Sequence, residues 1–418
     1  MTNPRHLSRA HGVSLIELMI ALAIGSLLVL GLVEVFSASR TAYQLSEGLA
    51  RVQENGRFAV DYIQRDFRMA GHLGCVNDQS RFLPANAAGT RSALGSTFLT
   101  PANQLAENYA TAAHSALRFD EPIQGYEYTG TAPGATRALA AAPVANTNLA
   151  AWTPALPADL GNAMTNRIDG SDIIVLRQFS PRGAQVKTFA PGDPNAVITV
   201  DGPQWANLIE GDDNPRMFGI ADCLSAGVFY GNTVVPGTPT TDGSITIIRD
   251  DVRNLSPMAG NEPYIAGQAY VYKAETLVYY VGLNGAQEPA LYRLRVDLNS
   301  AGAIDAQQEE LVEGIESLQL RYGLDSRTGP NELPTGNMGS SEVAGAATPW
   351  RRVGLIQVGL VARSANPAAV EQRQTVGTTS ATKLSALGVE FTPPTPNDTR
   401  YRTVYESTIA LRNRLFGH

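Results

Sequence analysis

The stretch from Val13 to Phe36, VSLIELMIALAIGSLLVLGLVEVF, is apolar except for Ser14, Glu17, Ser26 and Glu34, and it limits the architecture more than any other part of the chain. As an α-helix it spans roughly 36 Å, enough to cross a bilayer core of about 30 Å. Arg5 and Arg9, with His6 and His11, precede it. That charge keeps the N-terminus cytoplasmic under the positive-inside rule and puts residues 40–418 on the far side of the membrane. Whatever the remainder folds into therefore hangs from one N-terminal helix.

A cleaved secretory signal fits poorly, because its apolar core is about 7–15 residues long. Ser37-Ala38-Ser39 offers a small-residue cleavage site, but this run is longer and carries a carboxylate near its start. A plain anchor fits the length and leaves Glu17 unexplained, since a charged group at the bilayer centre costs about 2.5–3.5 kcal/mol on insertion scales. A third reading accounts for it. The residues His11-Gly12-Val13-Ser14-Leu15-Ile16-Glu17-Leu18-Met19 resemble the processing signal of type IV prepilins and pseudopilins. The resemblance implies cleavage by a membrane peptidase between Gly12 and Val13, N-methylation of Val13, and an assembly role for Glu17. A carboxylate that pairs with the positive N-terminus of a neighbouring subunit exchanges a lone charge for a compensated one, favouring docking into a filament over remaining in lipid. Most members of that family begin the mature chain with phenylalanine, where this one has Val13. Many shaft subunits carry a proline in the neighbourhood that here reads Gly31-Leu32-Val33-Glu34. Both departures point away from a shaft subunit.

Beyond the apolar run, Leu45, Leu49, Val52, Gly56, Ala59, Ile63, Phe67 and Ala70 recur at three- or four-residue steps. This is the stripe of an amphipathic helix packed on the protein's own sheet. Glu47/Arg51 and Asp61/Arg65 stand four apart with the acid first, which suits an exposed helix face. One helix is expected from Val13 to Ala70, ending near Gly71 and Gly74. The next stretch, to Asn166, is rich in Ala, Thr, Pro, Asn and Gly, with few strand signals beyond Leu117-Arg118-Phe119 and Gly125–Tyr128. It reads as a loop-rich insertion, either a binding surface or a tolerated addition. From Ser171 onward short β-rich runs recur, among them Asp172–Phe179, Ala196–Val200, Ser244–Ile248, Ala269–Tyr272 and Glu275–Val281. The last leads through Gly282-Leu283-Asn284-Gly285 to Ala290–Val296, a hairpin around a glycine turn. Alternation with polar residues predicts an antiparallel sheet with one face on the core.

Three later blocks, Leu311–Asp325, Trp350–Ser364 and Arg400–Arg414, resemble strands of PilW-type minor pilins and, more distantly, of the J-type pseudopilin of type II secretion. Without that resemblance they are simply strands, with Leu311, Ile315, Leu318, Leu320, Val353, Leu355, Ile356, Val358 and Leu360 as core positions. The expected fold is α+β and pilin-like: a long N-terminal helix on a large antiparallel β head. Its parts are a leader over residues 1–12, a transmembrane assembly helix over 13–36, an amphipathic continuation over 37–70, the insertion over 71–166 and the β-rich head over 167–418. The resemblance implies a minor pilin that helps initiate or cap a type IV pilus and so supports twitching motility and adhesion. Implied partners are other minor pilins, the major pilin, the prepilin peptidase and the inner-membrane assembly platform. The implied location is the inner membrane with a periplasmic head, then the pilus tip. Two other readings stay open: a type II secretion pseudopilin, and an adhesin that uses the pilin signal for delivery.

Charge and chemistry narrow this further. The chain carries −7, and loss of a leader holding Arg5 and Arg9 and no carboxylate takes it to −9. An acidic surface argues against nucleic-acid binding as the main task. Cys75 and Cys223, beyond a membrane helix, are expected to pair in an oxidising compartment, two buried thiols being the alternative. The acidic turns Asp325–Glu332, Gly211–Pro215 and Asp250-Asp251 offer too few oxygen ligands for calcium and read as solvated turns. His72, His114 and His418 have no catalytic or metal spacing, so no enzyme and no cofactor is expected. Arg400, Arg402, Arg412 and Arg414 read as a solvated strand face, or as a contact for an anionic surface.

Overall fold

A single helix, α1, runs unbroken from Leu15 to Met69. In this computed structural model the described residues are 13–76, 94–105, 109–212, 214–223, 225–250, 253–258, 264–325, 338–345, 350–367, 384–394, 398–411 and 413. None of Val13–Phe36 is buried. The second half buries Gly48, Val52, Gly56, Ala59, Ile63, Asp66 and Phe67. Leu45 stays 40% exposed, so the buried stripe opens at Gly48, where the helix faces the loop Ser364–Pro367. Glu47 and Arg51 pair at 2.7 Å on the exposed face as expected, but Arg65 turns from Asp61 to Asp66, at 3.3 Å. The helix stops where Gly71 takes φ +77, and its last carbonyls, of Arg68 and Met69, accept from Asn413 Nδ2. Orphan carbonyls at a helix end need such partners.

Strands β1 (Leu94–Ser96), β2 (Ile123–Tyr128), β3 (Thr136–Ala138), β4 (Trp152–Thr153), β5 (Ile173–Ala190), β6 (Asn195–Val200), β7 (Met217–Ala221), β8 (Ala226–Tyr230), β9 (Thr233–Val235) and β10 (Gly243–Ile248) precede the long strand β11 (Tyr270–Leu283). Then come β12 (Pro289–Leu298), β13 (Ile304–Glu313), β14 (Ile315–Asp325), β15 (Met338–Glu342), β16 (Val353–Arg363), β17 (Leu384–Ala386), β18 (Val389–Thr392) and β19 (Arg402–Ala410). The largest sheet is built on β5 and β11, which pair with each other and change outer partners along their length. The start of β5 takes β2 and its end takes β6, while the start of β11 takes β7 and its end takes β12, which in turn carries β13. A second sheet has the order β15-β14-β16-β19, and a third β17-β18-β3. Among the described residues pairing is antiparallel except for two short parallel contacts, β1 with β8 and β18 with β3.

The core lies where α1, the β5–β11–β12 face and the four-stranded sheet meet. Val52, Ile63 and Phe67 pack there with Leu176, Leu277, Tyr279, Leu318, Ile356 and Ile409. Each such side chain contributes about 1.5–3 kcal/mol by burial. The block Leu311–Asp325 is not one strand. Gly314, at φ +81, breaks it so that β13 stays on the large sheet and β14 crosses to the second. A Cβ at Gly314 would sit 2.6 Å from the Arg363 carbonyl oxygen, which excludes any other residue without a backbone shift.

The segment expected to be an insertion is short of regular structure, yet it does not stand apart. Strand β2 extends the large sheet beside β5, and Trp152, Leu160 and Met164 cover the far face of β11 and β12, over Tyr280, Tyr292 and Leu294. The fully buried Arg177 of β5 ties the same segment down by donating to the carbonyl oxygens of Ser115, Ala116 and Glu121. Backbone carbonyls can satisfy a buried guanidinium in place of a carboxylate. The apolar residues of this cover are scattered through a largely irregular segment, which is why periodicity did not reveal it.

Glu127 of β2 and Asp172, the residue before β5, share a buried site. Burial raises the Asp172 carboxyl to about 7, although its bonds from the backbone N–H groups of Tyr128, at 2.9 Å, and Leu320, at 2.8 Å, favour the anion. Among the described residues Glu127 has Thr131 as its one further partner, and it lies against Asp172. Burial, then the charge of Asp172, pushes the Glu127 carboxyl well above the ordinary range, so it holds a proton in the fold. The stability from this proton is complete below the unfolded carboxyl value and is lost as pH rises toward the folded one. The melting temperature in detergent should therefore fall from pH 5.5 to 8.5. Glu127→Gln should flatten that slope and raise the melting temperature at pH 8.5. An unchanged slope in circular-dichroism melts would contradict the shared proton.

Candidate functional site

The feature that distinguishes this molecule is a helix with two environments, so its bare start and its attachment to the head make up the site. At the start, Ser14 caps α1: its Oγ accepts from the Glu17 N–H at 3.2 Å, and Glu17 Oε2 accepts from the Ser14 N–H at 3.3 Å. This reciprocal box satisfies two orphan donors and holds the carboxylate at the positive end of the helix dipole. Val13 lies just outside the helix and is 70% exposed. Gly12 lies outside the described residues. The apolar part of α1 is long enough and apolar enough to cross a membrane.

At the other end the helix is locked to the sheet by charge. Asp66, buried on α1, accepts from Tyr279 Oη and Arg293 Nη1, both at 2.6 Å. Arg293 continues to Glu309, through Nη2 at 2.7 Å, which leads the chain of charges out to the surface. Burial alone would depress the Arg293 guanidinium, but its bonds to Glu309 and Asp66 hold it above its ordinary value. Above this clamp Tyr405 of β19 donates to the Val52 carbonyl oxygen at 3.2 Å, and its ring lies against Gly56. A Cβ there would come within 2.1 Å of the ring, so the close approach of helix to strand depends on glycine.

A second network joins the two sheets. Glu316 of β14 accepts from Arg402 Nε at 2.7 Å and Nη2 at 3.0 Å, and from Arg363 Nη1 at 2.8 Å. Arg402 also grips Asp398, at 2.7 and 2.6 Å. Glu288, in the turn between β11 and β12, accepts from Arg400 Nη2 at 2.8 Å and from Arg363. Three guanidinium groups thus balance three carboxylates, the condition under which buried charge is tolerated. Asp398 is held below the ordinary carboxylate range by Arg402 in spite of burial.

This corrects the reading of the terminal arginines. Arg402 is 3% exposed and belongs to the interior, and Arg400 is half-buried against Glu288, so neither forms a solvated face or an anion contact. Arg412 and Arg414 lie outside the described residues. Alternation of Arg with polar residues looks the same for a wet strand face as for a buried network whose acids are distant in sequence.

Cys75, after the helix, and Cys223, after β7, form a disulfide that closes 148 residues of chain. In the chain-entropy treatment a loop of this length contributes roughly 4–5 kcal/mol. Among the acidic turns, residues 326–337 lie outside the described residues, as do Asp213 and Asp251. Among the described residues no three His, Cys, Asp or Glu side chains form a metal-binding group. His72 Nδ1 lies 3.1 Å from the Phe179 carbonyl oxygen, and burial lowers its pKa; His114 lies 4.0 Å from Asp159. His418 lies outside the described residues.

Comparison with known proteins agrees with this architecture. Residues 7–33 match the prokaryotic N-terminal methylation motif. A membrane-length helix that opens on this motif and continues as the spine of a β head is a pilin-like layout. Residues 278–413 match the type IV pilus-assembly protein W family model. The matched region contains every head residue of both charge networks. No curated protein matches the chain. A solved type IV-like pilin from Thermus thermophilus is similar at 13% identity over 56% of this chain and 86% of its own, with a TM-score of 0.20.

Removing one partner of a buried ion pair strands the other, at a cost of about 3–5 kcal/mol. Asp66→Ala should therefore destabilise the head by about that amount, whereas Glu309→Gln, at the half-exposed end of the clamp, should cost below about 1 kcal/mol. Urea unfolding in detergent checks both. Equal losses would show that the clamp is no stronger than a surface pair.

Proposed function

We propose that this chain is a low-abundance subunit of a type IV pilus, held in the inner membrane before assembly, which helps start or cap the filament and so supports twitching motility and adhesion. The observation that carries the reading is the coincidence of the methylation motif with the unburied half of α1, joined to a family W head. A helix half with no protein neighbour requires lipid before assembly and other helices after it. In this reading a prepilin peptidase cuts between Gly12 and Val13 and methylates the new amine. Glu17 then exchanges its capping bond for the N-terminus of a neighbour, as a compensated charge leaves the bilayer at lower cost. The partners are companion minor pilins, the major pilin and the inner-membrane platform. Residues 70–418 beyond the helix would crowd a shaft repeat, which supports a place at the tip.

The reading that treats residues 71–166 as a detachable adhesive surface loses support, because that segment covers the sheet and carries Cys75. Two substitutions test the proposed assembly role. Gly12→Leu should leave the leader attached, seen by mass spectrometry of the membrane-bound protein; normal processing would refute the assigned bond. Glu17→Ala should be processed normally and yet reduce surface pili several-fold by shearing and immunoblot. Wild-type pilus levels would refute the pairing role of Glu17.

A further inference from the structure

Strand β13 forms a long sheet edge beside a polar cavity, and the helix attachment reaches this edge only through Glu309, at the outer end of the Asp66 clamp, and Glu313. Strand β13 pairs with β12 on one side and with no strand on the other among the described residues. Asp305, Gln307, Gln308, Glu309 and Glu310 are all exposed. Along such an edge every second backbone N–H and C=O points outward without a ladder partner. Helix α1 packs against the far end of β13, where Val312 joins the helix core and Asn55 Nδ2 donates to the Glu313 carbonyl oxygen at 3.0 Å.

The cavity, of about 840 Å³, lies alongside this edge, between the loop around Gly211 and strands β11, β12 and β13. Asp305, Gln307 and Glu309, which share one face of β13, line it, so it continues the sheet face on which Arg293 meets Asp66. Its wall holds six carboxylates, Glu210, Asp212, Glu275, Asp297, Asp305 and Glu309, against three cations. Those cations are already engaged. Lys273 pairs with Asp212 at 2.7 Å, Arg295 with Glu275 at 3.5 Å, and Arg216 donates to the carbonyl oxygens of Gly231 and Asn232. Asp297 and Asp305 stand directly opposite each other in the β12–β13 register, an arrangement that like charges disfavour. Asp297 spends its oxygens on the backbone N–H groups of Arg216, Met217 and Leu298, and Asp305 has no ion pair among the described residues. Burial pushes the Asp297 carboxyl up to about 6, and burial followed by the charge of Glu275 raises Glu210.

We propose that the β13 edge and this cleft dock an extended, lysine- or arginine-bearing segment of a companion subunit, which adds to the sheet as a further strand. Main-chain bonds to the open edge supply affinity, and alternate side chains of the added strand reach Asp305 and Glu309. The charge selects the occupant. A second copy would bring the same acidic edge against itself, and an anionic lipid or nucleic acid would be repelled. The same acids guard the edge against self-pairing, so they exclude the wrong strand and admit a basic one. The identity of the occupant as a pilus subunit rests on the proposed function; the binding itself does not.

The test uses the full chain in non-ionic detergent and a fluorescein-labelled ten-residue peptide of alternating lysine and threonine. Fluorescence anisotropy should show binding that weakens with salt, drops at least tenfold in Asp305→Lys, drops less in Asp305→Asn, and is unchanged in Asp61→Lys on the exposed face of α1. Amide hydrogen exchange on the unaltered chain should show added protection in β13 on peptide binding and none in β9. Equal binding of a glutamate–threonine peptide, equal binding by Asp305→Lys in a folded protein, or binding without protection of β13 would each overturn the proposal. A docked wild-type dimer protected at β13 would instead identify a second copy as the occupant and overturn the choice of partner. These results are independent of leader processing and pilus counts, so failure here and failure of the pilus reading are distinguishable.

Discussion

Asp66 is the residue on which the two halves of the molecule depend. It is a carboxylate buried near the end of a 55-residue helix, held by Tyr279 and Arg293 from adjacent strands of the large sheet. An apolar contact alone would let the helix slide along the sheet, since packing is tolerant of small shifts in register. A buried carboxylate with two fixed donors has one low-energy position, because displacement leaves charge unpaired in a low-dielectric interior. The position of the helix relative to the head is thereby set, and with it the direction in which the bare half of α1 projects.

The second network does for the head what Asp66 does for the helix. Gly314 lets the chain leave the large sheet, and the Glu316 cluster then joins the departing strand β14 to β16, to β19 and, through Glu288, back to the β11–β12 turn. Tyr405 and Asn413, near the end of the chain, return to the helix itself. Head and spine are therefore closed into one unit by the last strand, and the family W region contains these closures. A subunit that must be pulled from lipid into a filament has to transmit force from its helix to its head. A spine fixed by ion pairs and a glycine contact is suited to that.

The sequence showed the spine well because helical periodicity and the apolar run are local signals. The helix was legible to within two residues at its start, and the stripe from Val52 to Phe67 matched the buried face. Strands in the second half were legible where β-branched and aromatic residues alternate, as at Leu277–Val281 and Ile356–Leu360. Strands β7 and β8 were not, since Met217–Ala221 and Ala226–Tyr230 are five residues each, buried on both faces, and carry no alternation. The charge networks were invisible for a different reason. Nothing local separates Asp66 from the other acids of the helix, and Arg402 read as one more exposed cation, because their partners are distant in sequence. The signal available was weak: an acid on the apolar side of the stripe, next to Phe67. The cover formed by residues 149–164 was missed because its buried apolar residues, Trp152, Leu156, Leu160 and Met164, are scattered through a largely irregular segment and follow no strand or helix period.

The central claim is that a lipid-length helix, opening on a processed N-terminus, carries this head into a type IV pilus as a minor subunit. Quantitative mass spectrometry of sheared, purified filaments tests it most directly. The account predicts a peptide beginning with N-methylated Val13, present at a small fraction of the shaft subunit. Its absence from filaments while it persists in the membrane, or its presence in shaft-like amounts, would contradict the account.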